Sequence, residues 1–368
     1  MSEIPLHFPT DRASIQERIS KLDPPEYGRT RNFLNGSVSY LSPYISRGFI
    51  STKQVLEAVL NAGWELSQCE KFIQELLWRD YFQRVHLHLG EKIHEDIHQA
   101  QTEFIDQNIP KAILEMSTGI SAVDAGIENL YRNGYVHNHL RMYIASIVCN
   151  FGKTHWKSAS QWMYYHLLDA DIASNACSWQ WVSGSFGSKK YFANQENINK
   201  YCGTHQRSTF LDRSYEELGL FETPELLRER SFWTGQTVLP SVPVPNLDLS
   251  RKTLLYNSYQ LDPDWHSGED VNRMLILEPE HFNDYPISAN SLDFILRLSE
   301  NIPGIQRIVL NAKDLHTTYP GAQFISKEHP LTRHYPGEKE SRDWIVPEVT
   351  EFYPSFFKYW KICQKYIS

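Results

Sequence analysis

Three clusters of side chains have types and spacings that could do chemistry. In residues 67–89, SQCEKFIQELLWRDYFQRVHLHL, Glu75, Trp78, Arg79 and Phe82 fall at i, i+3, i+4 and i+7, so a helix places them on one face. Spacing alone makes Glu75 and Arg79 an i,i+4 ion pair and Trp78 a packed aromatic, with Ile73, Leu76, Leu77 and Val85 on the buried flank. In the second cluster Asn138, Arg141, Met142 and Ala145 again share a helical face. A buried Arg and Asn need acceptors, because a buried polar group without a partner is costly. A bound polar ligand or an internal carboxylate would serve, and spacing favours the internal ion pair. The third cluster, LLDADIASN at 167–175, sets Asp169 and Asp171 two residues apart near a helix end. Such a pair is ordinarily a cap or a solvated turn. No third group follows at metal-ligand spacing, so no metal site is expected. Trp156, Trp179 and Trp181 flank this cluster, and tryptophans in a helical region are ordinarily core.

The elements that must position these residues read as follows. Residues 10–222 are mostly helical by pattern. Ser51-Thr52-Lys53-Gln54 and Ser67-Gln68-Cys69-Glu70 both have capping-box form ahead of apolar-periodic stretches. A helix from Ser121 should end at Asn133-Gly134, where Gly can take the left-handed cap. Another starts at Ser158 and runs through WMYYHLLDAD. Residues 223–250 contain Pro240, Pro243 and Pro245 and read as a semi-rigid linker. Beyond it, strands are expected at 253–259, 273–277, 307–310 and 323–326, with a helix at 291–301 stopped by Pro303-Gly304. That alternation makes 251–368 a small α/β domain, closed by an amphipathic helix at 354–366. It holds no glycine-rich nucleotide fingerprint.

Composition narrows the classes. The chain has 36 Lys+Arg against 44 Asp+Glu. Up to residue 222 the count is 21 against 25, which leaves 15 against 19 beyond, so both parts are acidic. A nucleic-acid partner would therefore need a local basic patch, which counts against DNA as a partner. Five cysteines are scattered without CxxC spacing, which argues against zinc or iron–sulfur sites and fits a reducing cytoplasm. Neither a secretory leader nor an 18-residue apolar run is present, so a cytoplasmic protein without a membrane span is expected.

Together the segments resemble the DNA photolyase and cryptochrome family, in colinear order over about residues 10–222. ELLWRDYF is similar to that family's E-L-x-W-R-E-F, GYVHNHLRM to G-W-x-H-N-R-x-R-M, and LLDADIASN to D-G-D-x-A-x-N. Tyr27 and GSVSYLSPY resemble its diphosphate-binding Tyr and T-S-x-L-S-P-[YW] loop. The resemblance implies an all-helical domain binding FAD through Tyr27, Ser39, Leu41, Ser42, Phe72, Arg79, Asn138, Arg141, Asp169, Asp171 and Asn175, with Asn175 near the flavin N5. It places Glu75, Trp78, Met142 and Trp181 in a pocket for a cyclobutane pyrimidine dimer. DNA contacts are implied for Arg31, Trp78, Asn138, His139 and Trp181, and an electron relay through Trp179 and Trp156. The implied activity is light-driven repair of UV-damaged DNA by reduced flavin, with Asn175 the residue typical of repair enzymes. The alternative is a blue-light sensor signalling through the C-terminal domain to a protein partner.

Departures from the family pattern are Val38 for a hydroxyl residue, Asp80 for Glu, Tyr135 for Trp, His139 for Arg and Ala170 for Gly. Glu103-Phe104 occupy the stretch of the third, surface Trp, with Trp162 or Tyr164 as candidate replacements. Family members carry an N-terminal α/β antenna domain. Here the motifs begin near residue 1, so the expectation is that this domain is lacking. The α/β segment would then be its shortened or relocated counterpart, or an unrelated addition.

Overall fold

The computed structural model describes residues 7–187, 189–220 and 222–367. By packing the chain divides into two compact units: one of Met1–Leu22, Ser39–His88 and Gln236–Ser368, the other of Asp23–Val38 and Leu89–Gly235. The α/β segment expected at 251–368 shares a unit with the first helices. Among the described residues no helix is long and apolar enough to cross a membrane.

In the first unit Ser51 caps helix Thr52–Asn61 with a complete capping box, its Oγ accepting from Gln54 N at 3.0 Å while Gln54 Oε1 accepts from Ser51 N at 2.7 Å. The long helix Leu66–Leu89 begins before the expected Ser67. Its start is held by Gln68 Oε1, which accepts from Glu65 N at 3.0 Å. Five parallel strands follow: β1 Lys252–Tyr256, β2 Asn272–Leu277, β3 Ile305–Val309, β4 Gln323–Lys327 and β5 Glu338–Glu340. Their order is β3-β2-β1-β4-β5. The central pair is buried along Thr253–Tyr256 and Met274–Leu277, the continuous apolar run that a parallel sheet covered on both faces requires. Four strands lie close to their expected positions. β5 was not expected, because EKE carries no apolar signal.

Just beyond β1 and β4 the rings of Tyr259 and His329 stack, with centroids 4.3 Å apart and planes 5° from parallel. Gly48, at φ 58°, presses against the same turn; a Cβ there would lie 2.2 Å from the Tyr259 carbonyl oxygen. The last helix, Phe356–Cys363, buries Phe356, Tyr359 and Cys363. Residues 232–251, spanning most of the Pro-rich stretch, form no regular element among those described.

In the second unit helix Ser121–Asn133 ends at Gly134, whose φ of 66° is the left-handed cap expected there. Helix Asn138–Ser146 runs into a single π turn, Ile147–Phe151. The expected helix from Ser158 instead spans Trp156–His166, and a separate helix, Ile172–Ser183, follows. The chain leaves helical geometry at Leu167 so that Leu168 N can donate to Gly134 O at 2.8 Å. Ile109–Pro110 and Arg230–Ser231 pair antiparallel and close the unit's end. The overall architecture is therefore largely helical with one parallel α/β component.

Candidate functional site

Gly134 does two jobs in the second unit. Its left-handed backbone ends one helix, and the absence of a side chain admits Leu168, whose Cγ would lie 2.7 Å from a Cβ at this position. The resulting Gly134–Leu168 bond joins the segment carrying Arg141 to the one carrying Asp169. Arg141 Nη2 then donates to both Asp169 oxygens, at 3.0 and 2.8 Å, and Nε donates to Val136 O at 2.8 Å. The Asp169 side chain is only 3 % exposed, so the guanidinium is its charge partner in a nearly closed environment. The internal acceptor that spacing favoured for Arg141 is thus present.

Asp171 is the N-cap of Ile172–Ser183, its Oδ1 accepting from Ser174 N at 2.7 Å. Asn175, one turn on, donates from Nδ2 to Ser160 O at 2.8 Å. Ala170 is buried and is not among the described residues with positive φ, so replacing Gly there costs no backbone strain. Met142 is half-buried and Asn138 exposed on the same helix. His139, where the family pattern has a cation, is held below its ordinary value by burial first and then by the charge of Arg31. It is neutral at pH 7 and brings no phosphate-binding charge. Arg31 Nη1 donates to Gly28 O at 3.3 Å, and Tyr27 is half-buried on helix Pro24–Thr30.

The other predicted residues lie in the first unit. Leu41 is buried, Leu41 N donates to Ser39 Oγ at 3.4 Å, and Ser42 opens the short helix Ser42–Ser46. Phe72 is buried on the long helix, and Arg79 donates to Ser46 Oγ. Glu75 lies 3.8 Å from Lys71 Nζ, an i,i+4 pair different from the expected one with Arg79. Trp78 stacks on Phe356 of the last helix, with centroids 3.9 Å apart and planes 12° from parallel. Its neighbour Asp80 is buried, accepting from Thr52 Oγ1 at 2.7 Å and from Ile345 N at 3.0 Å. Desolvation raises its pKa, and these two bonds pull it back down.

Of the second unit's tryptophans, Trp156 and Trp179 are buried, while Trp181 is 46 % exposed beside Tyr191, with ring centroids 5.7 Å apart. Trp162 and Tyr164, the candidate surface replacements, are both buried. Sequence reasoning missed Asp96, which accepts the Trp156 indole N–H at 2.6 Å. The two residues are sixty positions apart, and EKIHEDIHQA offers no periodic or motif signal.

Comparison with known proteins follows this geometry. Residues 72–219 match the family model for the FAD binding domain of DNA photolyase. A deoxyribodipyrimidine photo-lyase of Agrobacterium fabrum is 34% identical over 154 residues, covering 40% of this chain and 32% of that protein. Cryptochrome DASH of Danio rerio is 30% identical over 168 residues, covering 43% and 32%. The crystal structure of a bacterial class III photolyase from Agrobacterium tumefaciens aligns at 27% identity and a TM-score of 0.43, covering 52% of this chain and 42% of that one. The chain spans about a third of the length of these two curated relatives.

Residues 72–219 thus match the FAD binding domain of DNA photolyase, and the cofactor that such a segment binds is FAD. The local chemistry fits. A flavin ring edge needs both donors and acceptors, and Arg141 Nη1 and Asn175 Oδ1 have no partner among the described residues. When bound, FAD would supply one-electron chemistry. The chain's own contribution is to fix Asp169 through Arg141 and to hold Asn175 through Ser160.

Proposed function

We propose that this protein is a photolyase-like lyase that repairs cyclobutane pyrimidine dimers in UV-damaged DNA by light-driven electron transfer from reduced FAD. The observation that carries this reading is Trp181. Among the described residues it is the one exposed tryptophan of ten, set beside Tyr191 and just after the Asp169–Asn175 segment. An exposed indole on a rigid helix is a platform on which an extruded base stacks. Met142 and Asn138 of the same unit would add an apolar and a hydrogen-bonding contact, with Arg31 and His139 as further contacts to the nucleic acid in this reading. Asn175, the residue that the resemblance associates with repair, favours the same conclusion.

The test is illumination of FAD-reconstituted, reduced protein with dimer-containing single- and double-stranded oligonucleotides. Repair is expected, with Trp181→Ala weakening binding by about 1–3 kcal/mol, the worth of one stacked base. Normal flavin photoreduction without DNA binding or repair would sink it.

One observation favours a second reading, a cryptochrome-like light sensor with a protein partner. Trp78, which the resemblance places in the lesion pocket, is stacked against Phe356 of the C-terminal helix. In a sensor that contact would link the flavin-side helix to the output segment, and a Phe356→Ala chain would keep its photochemistry while losing its partner.

A further inference from the structure

We propose that Asp96 is a built-in proton acceptor for Trp156, so that Trp156 is where an oxidised side chain is stabilised in the second unit. The inference rests on the flavin reading above and assigns a role to a residue outside every family motif in the chain.

The geometry is specific. Asp96 Oδ1 accepts the Trp156 indole N–H at 2.6 Å, at the short end for a charge-assisted bond. The other oxygen, Oδ2, accepts from Gln101 N at 2.8 Å. Gln101 in turn grips Trp156: its Oε1 accepts from Trp156 N at 2.9 Å, and its Nε2 donates to Thr154 O at 3.0 Å. Ile97 N donates to Gln180 Oε1 at 2.9 Å, which ties the loop to the helix carrying Trp179. The carboxylate is therefore aimed at the indole by its own backbone and by its neighbours.

The surroundings make that carboxylate the natural destination for a proton. Trp156 is 1 % exposed, so bulk water does not reach its indole nitrogen. The Asp96 side chain is 20 % exposed and can pass a proton outward. His155 is the other titratable group at hand, its Nε2 3.8 Å from Asp96 Oδ1. Burial first, and the charge of Lys157 as well, hold His155 below its ordinary value against the pull of Asp96, so it is neutral near pH 7. On the outer side Phe104 packs edge-on against His155, with centroids 4.9 Å apart, and a phenyl ring extends no relay. Glu103 is engaged by Lys190 at 2.6 Å.

The step balances as follows. Trp156 loses one electron, passed through Trp179 to a photoexcited oxidised flavin, and becomes an indole radical cation. Its N–H bond breaks and a new O–H bond forms at Asp96 Oδ1, leaving a neutral indolyl radical and a neutral carboxylic acid. Return of the electron to the indole draws the proton back. A buried cation without a partner is costly, and the transfer removes that charge.

Two measurements test it. In the apoprotein, the indole N–H resonance of Trp156 should lie downfield of its position in Asp96→Asn, which keeps an acceptor oxygen but removes the charge. In the FAD-reconstituted protein, transient absorption separates cationic from neutral tryptophan radicals. Conversion in the wild type should slow in D2O and be independent of buffer concentration. In Asp96→Asn it should slow by about 10²-fold, the low end for a positioned proton acceptor. An unchanged rate in Asp96→Asn, a wild-type rate proportional to buffer, or a radical that survives Trp156→Phe would each overturn the assignment. If Asp96→Asn does not fold, the buffer series on the wild type decides alone. Absence of any flavin photoreduction in the wild type would instead remove the underlying flavin reading, and this inference with it.

Discussion

Two buried carboxylates, Asp169 and Asp80, come from segments that resemble the same family, yet they stand in opposite situations. Asp169 faces the guanidinium of Arg141, whose Nη1 is still open to a ligand, and the loop between them turns on Gly134. Asp80 is closed in by its own unit, taking one bond from Thr52 and one from Ile345, a residue beyond the sheet. The first is an ion pair exposed on one side, the second a structural tie held by two hydrogen bonds. A matched motif therefore does not assign a role by itself; the partner that reaches the side chain does. Asp80, one methylene shorter than the family's Glu, sits where the helix Leu66–Leu89 meets the segment after β5.

Acidification should have the largest effect, and it acts on both regions, because burial also pushes His281 of the first unit down to about 4. His137 and His166, which flank the Arg141–Asp169 segments, are pushed down to about 4 by burial. The unfolded chain takes up these protons near pH 6.5 and the folded chain only near 4, so stability falls as pH drops through that window. The slope limit is about 1.4 kcal/mol per pH unit for each histidine. Asp80, with its pKa raised, acts in the opposite sense and favours the folded state as it protonates above its ordinary value. Urea midpoints that stay flat between pH 6.5 and 4 would rule out these histidine shifts.

Arg141→Ala comes next. It leaves Asp169 buried without its charge partner and should cost about 3–5 kcal/mol in urea unfolding, with loss of flavin retention. Gly134→Ala should cost about 1–3 kcal/mol, since it strains a left-handed position and collides with Leu168. Its flavin affinity should fall too, read by equilibrium dialysis, because the link between the two segments moves. The mildest is Asp80→Asn, at about 1 kcal/mol, since an amide oxygen can still accept one of the two bonds. An Asp80→Asn loss as large as that of Arg141→Ala would mean that Asp80 is also a charged site.

What the sequence made legible was local. The capping box at Ser51, the left-handed Gly134 and four apolar strands are all set within a few positions. The rest is non-local. β5 is three charged residues at a sheet edge, where no buried face imposes a pattern. Phe356 reaches Trp78 across 278 positions, and Asp96 reaches Trp156 across sixty. The break at Leu167 was hidden because LLDAD is compatible with helix, and only the bond to Gly134 draws it out.

Doubly wound sheets receive their ligands beyond the carboxyl ends of the strands, where the winding reverses. In this sheet that place lies between β1 and β4, and it is already filled by the paired rings of Tyr259 and His329, with the backbone at Gly48 wedged against the turn. A guest would have to evict two aromatics and a loop. Nucleotide titrations read from Tyr259 should therefore stay silent.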